Sequence, residues 1–197
     1  MNKVSPDAFL PLLRRHITGP LDAMMRDALV EAAILFCRSS KYLVDSITLT
    51  DVVTNQDITI CSDTDYKSSD LNAVVTVVDD ETAILDGGID YLAISANKIK
   101  ALNDFSTMTI GFTIEPRQNA TNLPSTLFDD HAETIAFGAA RILYLKPAMP
   151  WTDPNRAKLY DAEFTEGCRR AARFRLEQSK EIIQNEYSNP VRARDFF

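Results

Sequence analysis

The stretch "RILYLKPAMPWTDPNRAKLYDAEF", residues 141–164, decides how this chain folds. Pro147, Pro150 and Pro154, together with the only tryptophan, Trp151, sit between two segments of helical pattern. A proline inside a helix removes a backbone hydrogen bond and clashes with the preceding turn, so Pro147 ends the first helix. Asp153-Pro154 is a start signal. The carboxylate can accept from N–H groups of the first turn, and proline suits the first helical position. Upstream, Phe128, Ala132, Ile135, Ala139 and Ile142 form one apolar stripe. Downstream, Ala157, Tyr160, Phe164, Cys168 and Ala171 form another at spacings of three and four. Two helices joined by so short a link must fold back as an antiparallel pair. Pro147, Pro150, Trp151, Asp153 and Pro154 are therefore expected to form a structural corner, with Trp151 wedging it shut.

Working outward, the first third is also helical. Ser5-Pro6-Asp7 reads as an N-cap, a first-position proline and a first-turn acid, and Pro11 keeps that helix short. After "TGP", Leu21, Met25, Ala28, Ala32 and Leu35/Phe36 place a stripe along a helix reaching about Lys41, with Asp22, Arg26, Asp27 and Glu31 on the other face. From Tyr42 to about Pro116 the period becomes two. "DSITLTDVV", "DITIC", "NAVVTVVDDETAILDGG", "IDYLAI" and "TMTIGFTIEP" read as short strands, with turns at Asp79-Asp80 and Asp86-Gly87-Gly88. Helical propensity in the last segment persists to about Tyr187, and "SNPVRARDFF" trails off as a tail.

The expected class is α+β. Residues 1–42 and 117–187 form an antiparallel helical bundle, 43–116 an inserted antiparallel β-rich module that projects from it, and 188–197 an extended C-terminal tail.

Composition narrows the function. The chain has 197 residues, 45% hydrophobic and 25% charged, with a net charge of −7. Residues 42–130 carry 4 Lys/Arg against 15 Asp/Glu, whereas both flanks are mildly basic. That argues against sequence-specific nucleic-acid binding, which wants a basic stripe. No apolar run approaches membrane-spanning length, and no signal peptide is expected. Cys37, Cys61 and Cys168 are few and widely spaced, which fits reduced thiols in a cytoplasmic setting. The sequon at Asn119 is then a chance match.

Motifs for chemistry are scarce. His16 follows Arg14 and Arg15 and reads as a surface turn. Asp129, His131 and Glu133 could be drawn as a metal-dependent hydrolase centre. However, Asp129 and Glu133 share a helix face that His131 does not, and no second histidine stands at ligand spacing. The plainer reading is a decorated first helical turn. No phosphate-binding glycine loop or nucleophile motif occurs, and Cys37 reads as a buried structural thiol. No catalytic residue, metal or cofactor is expected, and a non-viral interaction scaffold is a further alternative.

Beyond these derivations, "TIAFGAARILYLKPAMPWTDPNRAKLYDAEFTEGCRRAA" resembles the head–tail adaptor (connector) proteins of tailed bacteriophages. The residues that carry the resemblance are Gly138-Ala139-Ala140-Arg141-Ile142-Leu143, the loop from Pro147 to Trp151, the Asp153-Pro154 start, and Ala157, Tyr160 and Phe164. On the first long helix and just after it, Ala28, Ala32, Ala33, Phe36, Cys37 and Tyr42 are similar as well. The resemblance covers about half the chain and implies a virion structural protein, not an enzyme. It implies binding beneath the portal ring, assembly of twelve copies around the DNA channel, and a docking surface for the tail or a further connector protein. The location implied is the head–tail interface of a particle assembled in the bacterial host cytoplasm, with no membrane partner. A C-terminal extension, here Arg192, Arg194, Phe196 and Phe197, would dock into portal clefts.

Overall fold

The computed structural model describes residues 2–78 and 81–180. The chain is α+β. A two-residue strand β1 (Lys3–Val4) leads into a 3-10 turn at Pro6–Phe9, where the Ser5 hydroxyl accepts from the Asp7 N–H. The short helix α1 (Leu10–Leu13) follows, and then the long helix α2 (Asp22–Ser40). Lys41 closes α2 in the left-handed region at φ 50°, so the chain turns directly into the first long strand.

The strands come next: β2 (Val44–Val52), β3 (Asp57–Thr59), β4 (Tyr66–Val78), β5 (Glu81–Ile84), β6 (Tyr91–Ser95), β7 (Lys98–Ala101) and β8 (Phe105–Pro116). They divide into two antiparallel sheets, ordered β2-β8-β4-β5 and β3-β7-β6. A further pair joins β1 to β9 (Leu123–Pro124), which ties the start of the chain to the entrance of helix α3 (Ser125–Tyr144). Helix α4 (Pro154–Lys180) completes the described chain.

The larger sheet follows the alternation of a half-buried surface only in part. On β8, Met108, Ile110 and Phe112 are buried and Thr107, Thr109 and Gly111 half-buried, but from Phe112 to Pro116 every residue is buried, Thr113 and Glu115 included. β4 starts earlier than "NAVVTVV" suggests, at Tyr66, and passes two register shifts against β8, between Ser68 and Asp70 and between Leu71 and Ala73. Those irregularities break the period of two, which is why the first half of this strand is illegible by alternation. β7 is likewise unannounced in the sequence. The tight turn expected at Asp79-Asp80 lies outside the described residues.

Helices α2, α3 and α4 all pack on one another, and α2 also lies on β8. This double duty explains why the buried face of α2 is wider than its stripe. Leu29, Val30, Ala33 and Ile34 are buried as well as Met25, Ala28, Ala32 and Phe36. Leu21, assigned to the stripe, sits at the cap and is 71% exposed. On α3 the centre of burial is Leu127, Ile135, Ala136, Ala139, Ala140 and Leu143. Phe128, Ala132 and Ile142, placed mid-stripe by spacing, fall on its half-buried margins because α2 and α4 flank the helix.

Helices and sheets share one hydrophobic cluster, running from Phe9 and Leu29 through Ile135 to Phe112, Val74 and Ile99. Polar ties cross the same boundary. Arg38 of α2 donates to both oxygens of Glu115 at 2.6 and 2.8 Å, and Lys67 of β4 reaches the same carboxylate at 3.1 Å. Burial alone would push Glu115 up, but the two cations outweigh it and hold the carboxyl below its ordinary value.

Candidate functional site

Between α3 and α4 the chain turns through residues 145–153. α3 ends at Tyr144, ahead of Pro147, and Ala148 takes a positive φ of 58°. Thr152 closes the loop. Its hydroxyl donates to the Lys146 carbonyl and accepts from the Met149 N–H at 3.1 Å. The Asp153 N–H then donates back to the Tyr144 carbonyl at 3.1 Å. The Asp153 carboxylate accepts from the Asn155 and Arg156 N–H groups at 3.0 and 3.1 Å, so it is the N-cap of α4, with Pro154 as the first helical residue. Pro147 and Pro150 are exposed on the loop.

Trp151 does more than hold the two helices together. Its ring lies on Gly19, where a Cβ would stand 3.0 Å from it, in the segment between α1 and α2. Gly19 has φ +112°, a backbone conformation that side chains rarely adopt. Beside it the Tyr144 hydroxyl donates to the His16 carbonyl at 2.7 Å and accepts from Arg156 at 3.1 Å. The Tyr144 and Tyr160 rings stack with centroids 5.7 Å apart and planes 4° from parallel. The corner is therefore a clamp on the N-terminal segment, which helical spacing could not reveal. Trp151 is half-buried, and its indole N–H is buried without a partner among the described residues.

His16 is consequently not a free surface group. It packs edge-on against Phe137 and Tyr160 at 4.9 and 5.4 Å, and burial lowers its pKa. His131 is corrected in the same way. α3 begins at Ser125, so residues 129–133 lie beyond its first turn, and His131 has non-helical angles at a kink. Its ring packs on Phe36 and Tyr42 at 4.8 and 4.4 Å, with Nε2 buried and unpartnered among the described residues. Burial also pushes this histidine down. Asp130 accepts from the Tyr42 hydroxyl at 2.9 Å, Asp129 is exposed, and Glu133, also exposed, lines the same cleft as His131. The drawn trio of Asp129, His131 and Glu133 is thus not brought together. Among the described residues no three His, Cys, Asp or Glu side chains stand close enough to hold a metal ion.

Tyr42, His131, Phe137, Phe174 and Arg170 line a cleft of about 430 Å³. The Cys37 and Cys168 thiols are buried, and burial raises both, Cys168 to about 11. They are poor nucleophiles as they stand. Arg192, Arg194, Phe196 and Phe197 lie outside the described residues. No described helix is long and apolar enough to cross a membrane.

A contact that the sequence did not announce joins the three helices. At Gly138 an added Cβ would meet two ring carbons of Phe164, each at 2.7 Å, and the Ala32 Cβ at 3.0 Å. Gly167 is tighter still, its added Cβ falling 2.3 Å from Thr134. Arg141 pairs with Asp161 at 2.7 Å and lies over the Phe164 ring at 5.9 Å.

No protein-family model matches this chain, and no curated protein matches it in sequence. Among solved structures it is similar to a chain of one described as "Neck of empty GTA particle computed with C6 symmetry". The identity is 16%, over 81% of this chain and 93% of that one, and the TM-score is 0.32, a superposition too loose to carry fold or function.

Proposed function

We propose that this chain is a structural virion protein, a head–tail adaptor that binds beneath a portal ring and extends it toward the tail. In this reading it assembles as a helical-bundle subunit into a ring, of twelve copies, around the DNA channel. It sits at the head–tail interface and offers its far surface to the tail or a further connector. It carries no catalytic centre, metal or cofactor, and contacts DNA without reading its sequence. The tail, residues 188–197, with Arg192, Arg194, Phe196 and Phe197, reaches into clefts of the portal.

One observation supports this reading above the others. Ala32, Gly138 and Phe164 come from three separate groups of residues that carry the connector resemblance, and they meet in a single contact. Ala32 and Phe164 lie on apolar stripes that packing of these helices brings near each other, and the missing side chain at Gly138 is what lets the phenyl ring approach Ala32. Their convergence gives the pattern one physical cause, close packing of α2, α3 and α4. A ring subunit also needs rigid packing surfaces of this kind.

The test is to mix the purified protein with its cognate portal ring and inspect the particles by electron microscopy. A second ring stacked on the portal is expected, and truncation after Pro190 should weaken docking while leaving the fold. Portal rings that stay bare in the presence of the intact chain overturn the proposal.

A further inference from the structure

The last described turns of α4 form a ridge of distinctive composition. Residues 169–175 read Arg-Arg-Ala-Ala-Arg-Phe-Arg, without an acid or a lysine. Arg169, Arg170 and Arg173 are exposed, Phe174 is 49% exposed and Leu176 63%. Arg169 has only a loose partner, Glu166 at 3.8 Å, and among the described residues Arg170 and Arg173 form no ion pair. Hollows flank the ridge on both sides. One is the cleft of Tyr42, His131 and Phe137, where Asp130 and Glu133 also stand without forming an ion pair to Arg170, and the other is a groove of about 460 Å³ lined by Lys41, Asp70, Leu71 and Thr113.

Arginine mixed with exposed aromatic and aliphatic side chains, without lysine, is the composition of a protein interface. A phosphate backbone would satisfy the guanidinium groups but would leave the exposed half of Phe174 in water. The ridge therefore calls for acidic groups on a protein surface, and this chain carries exposed acids that no ion pair among the described residues uses. The excess acid of residues 42–130 is partly used internally, in Lys41–Asp70, Lys3–Asp63 and Arg38–Glu115. Asp45 and Asp51 are not so used. Both are exposed on β2, which stands at the end of its sheet with one edge unpaired, and among the described residues neither forms an ion pair.

We propose that the Arg169/Arg170/Arg173/Phe174 ridge of one copy docks on the acidic β2 edge, around Asp45 and Asp51, of a second copy of this chain. Neither surface can meet itself across a two-fold axis, because like charges would face each other. The contact is heterologous and head-to-tail, and such contacts close into rings when the rotation allows. The inference rests on the adaptor reading only in expecting the contact to repeat around a closed ring.

Two charge variants test it, each checked for native circular dichroism. R169E/R173E makes the ridge acidic. D45K/D51N makes the β2 edge basic, and the asparagine it introduces tolerates the φ of 54° that Asp51 adopts. Sedimentation velocity of the free chain at low ionic strength should show self-association that weakens as salt is raised. Each variant alone should associate at least about tenfold more weakly. An equimolar mixture should regain association, because each ridge then finds an edge of opposite sign. Wild type that stays monomeric at high concentration and low salt, or variants that associate as wild type does, overturn the proposal. So does a ridge variant that loses only its affinity for duplex DNA. A chain that self-associates as described but ignores the portal sinks the adaptor reading and leaves this contact standing.

Discussion

Gly138 and Phe164 face each other across the seam between α3 and α4 so closely that a methyl group at residue 138 would stand 2.7 Å from two carbons of the Phe164 ring. Ala32 of α2 closes the same space from the third side at 3.0 Å. The phenyl ring fills room that only the missing side chain leaves, so the three helices pack more closely here than any side chain at residue 138 would allow.

Gly138→Ala is expected to destabilise the protein by about 1–2 kcal/mol. Overpacking costs about 1–3 kcal/mol and the better helix propensity of alanine offsets up to about 1. Urea unfolding measures it. In the double variant with Phe164→Leu the two costs should fall short of their sum, since the smaller side chain makes room for the methyl. Full additivity would show that the pair does not set the helix separation.

Trp151→Ala should cost about 2 kcal/mol. This is below the roughly 3 or more of a fully buried tryptophan, because Trp151 is half-buried. Gly19→Ala should also destabilise, through its φ of +112° and the 3.0 Å approach to the indole. If the clamp is real, loss of either residue speeds proteolysis within residues 14–20, which limited digestion and mass spectrometry would show. Unchanged cleavage there would remove the clamp from the account.

Both histidines are held below their ordinary pKa, chiefly by burial. The unfolded chain therefore binds protons that the fold refuses. Stability contributed by the neutral rings is present above the unfolded value of about 6.5 and declines as pH falls below it toward the lower folded value. Unfolding free energy should drop between about pH 7 and pH 5, and His131→Gln should flatten that slope in chemical denaturation series. A slope unaltered by the substitution would show that His131 titrates freely.

A second acid limb belongs to Asp65. Burial pushes its carboxyl up, but the Lys3 ammonium at 3.0 Å and donors from Thr121 and Asn122 outweigh that and hold it well below the carboxylate range. A depressed carboxyl stabilises above its unfolded value, about 3.9, and the contribution is lost as pH falls below that toward the folded value. Asp65→Ala should cost about 1–2 kcal/mol at neutral pH by removing the acceptor shared by Lys3, Thr121 and Asn122, and should remove this limb. Thermal melts from pH 5 to pH 2 report both.

The corner was legible because its signals are local. Pro147 stops a helix, and Asp153 and Pro154 start one, wherever they stand. The switch to a period of two after Tyr42, and back to a helical period after the polar connector that follows Pro116, was legible for the same reason. The α+β class and most of the long elements followed from the residues alone. β7 and the first half of β4 did not, since a four-residue strand and a bulged one leave no clean period.

Tertiary structure decided the rest. The order β2-β8-β4-β5 and the pairing of Lys3–Val4 with Leu123–Pro124 join positions far apart in the chain, which no window of a few turns can see. The same holds for Trp151 on Gly19, for His131 between Phe36 and Tyr42, and for Phe164 over Gly138 and Ala32. Periodicity told which face of each helix is apolar. Only the packed chain told which residue fills the space that a glycine leaves, because that space is shaped by three helices at once.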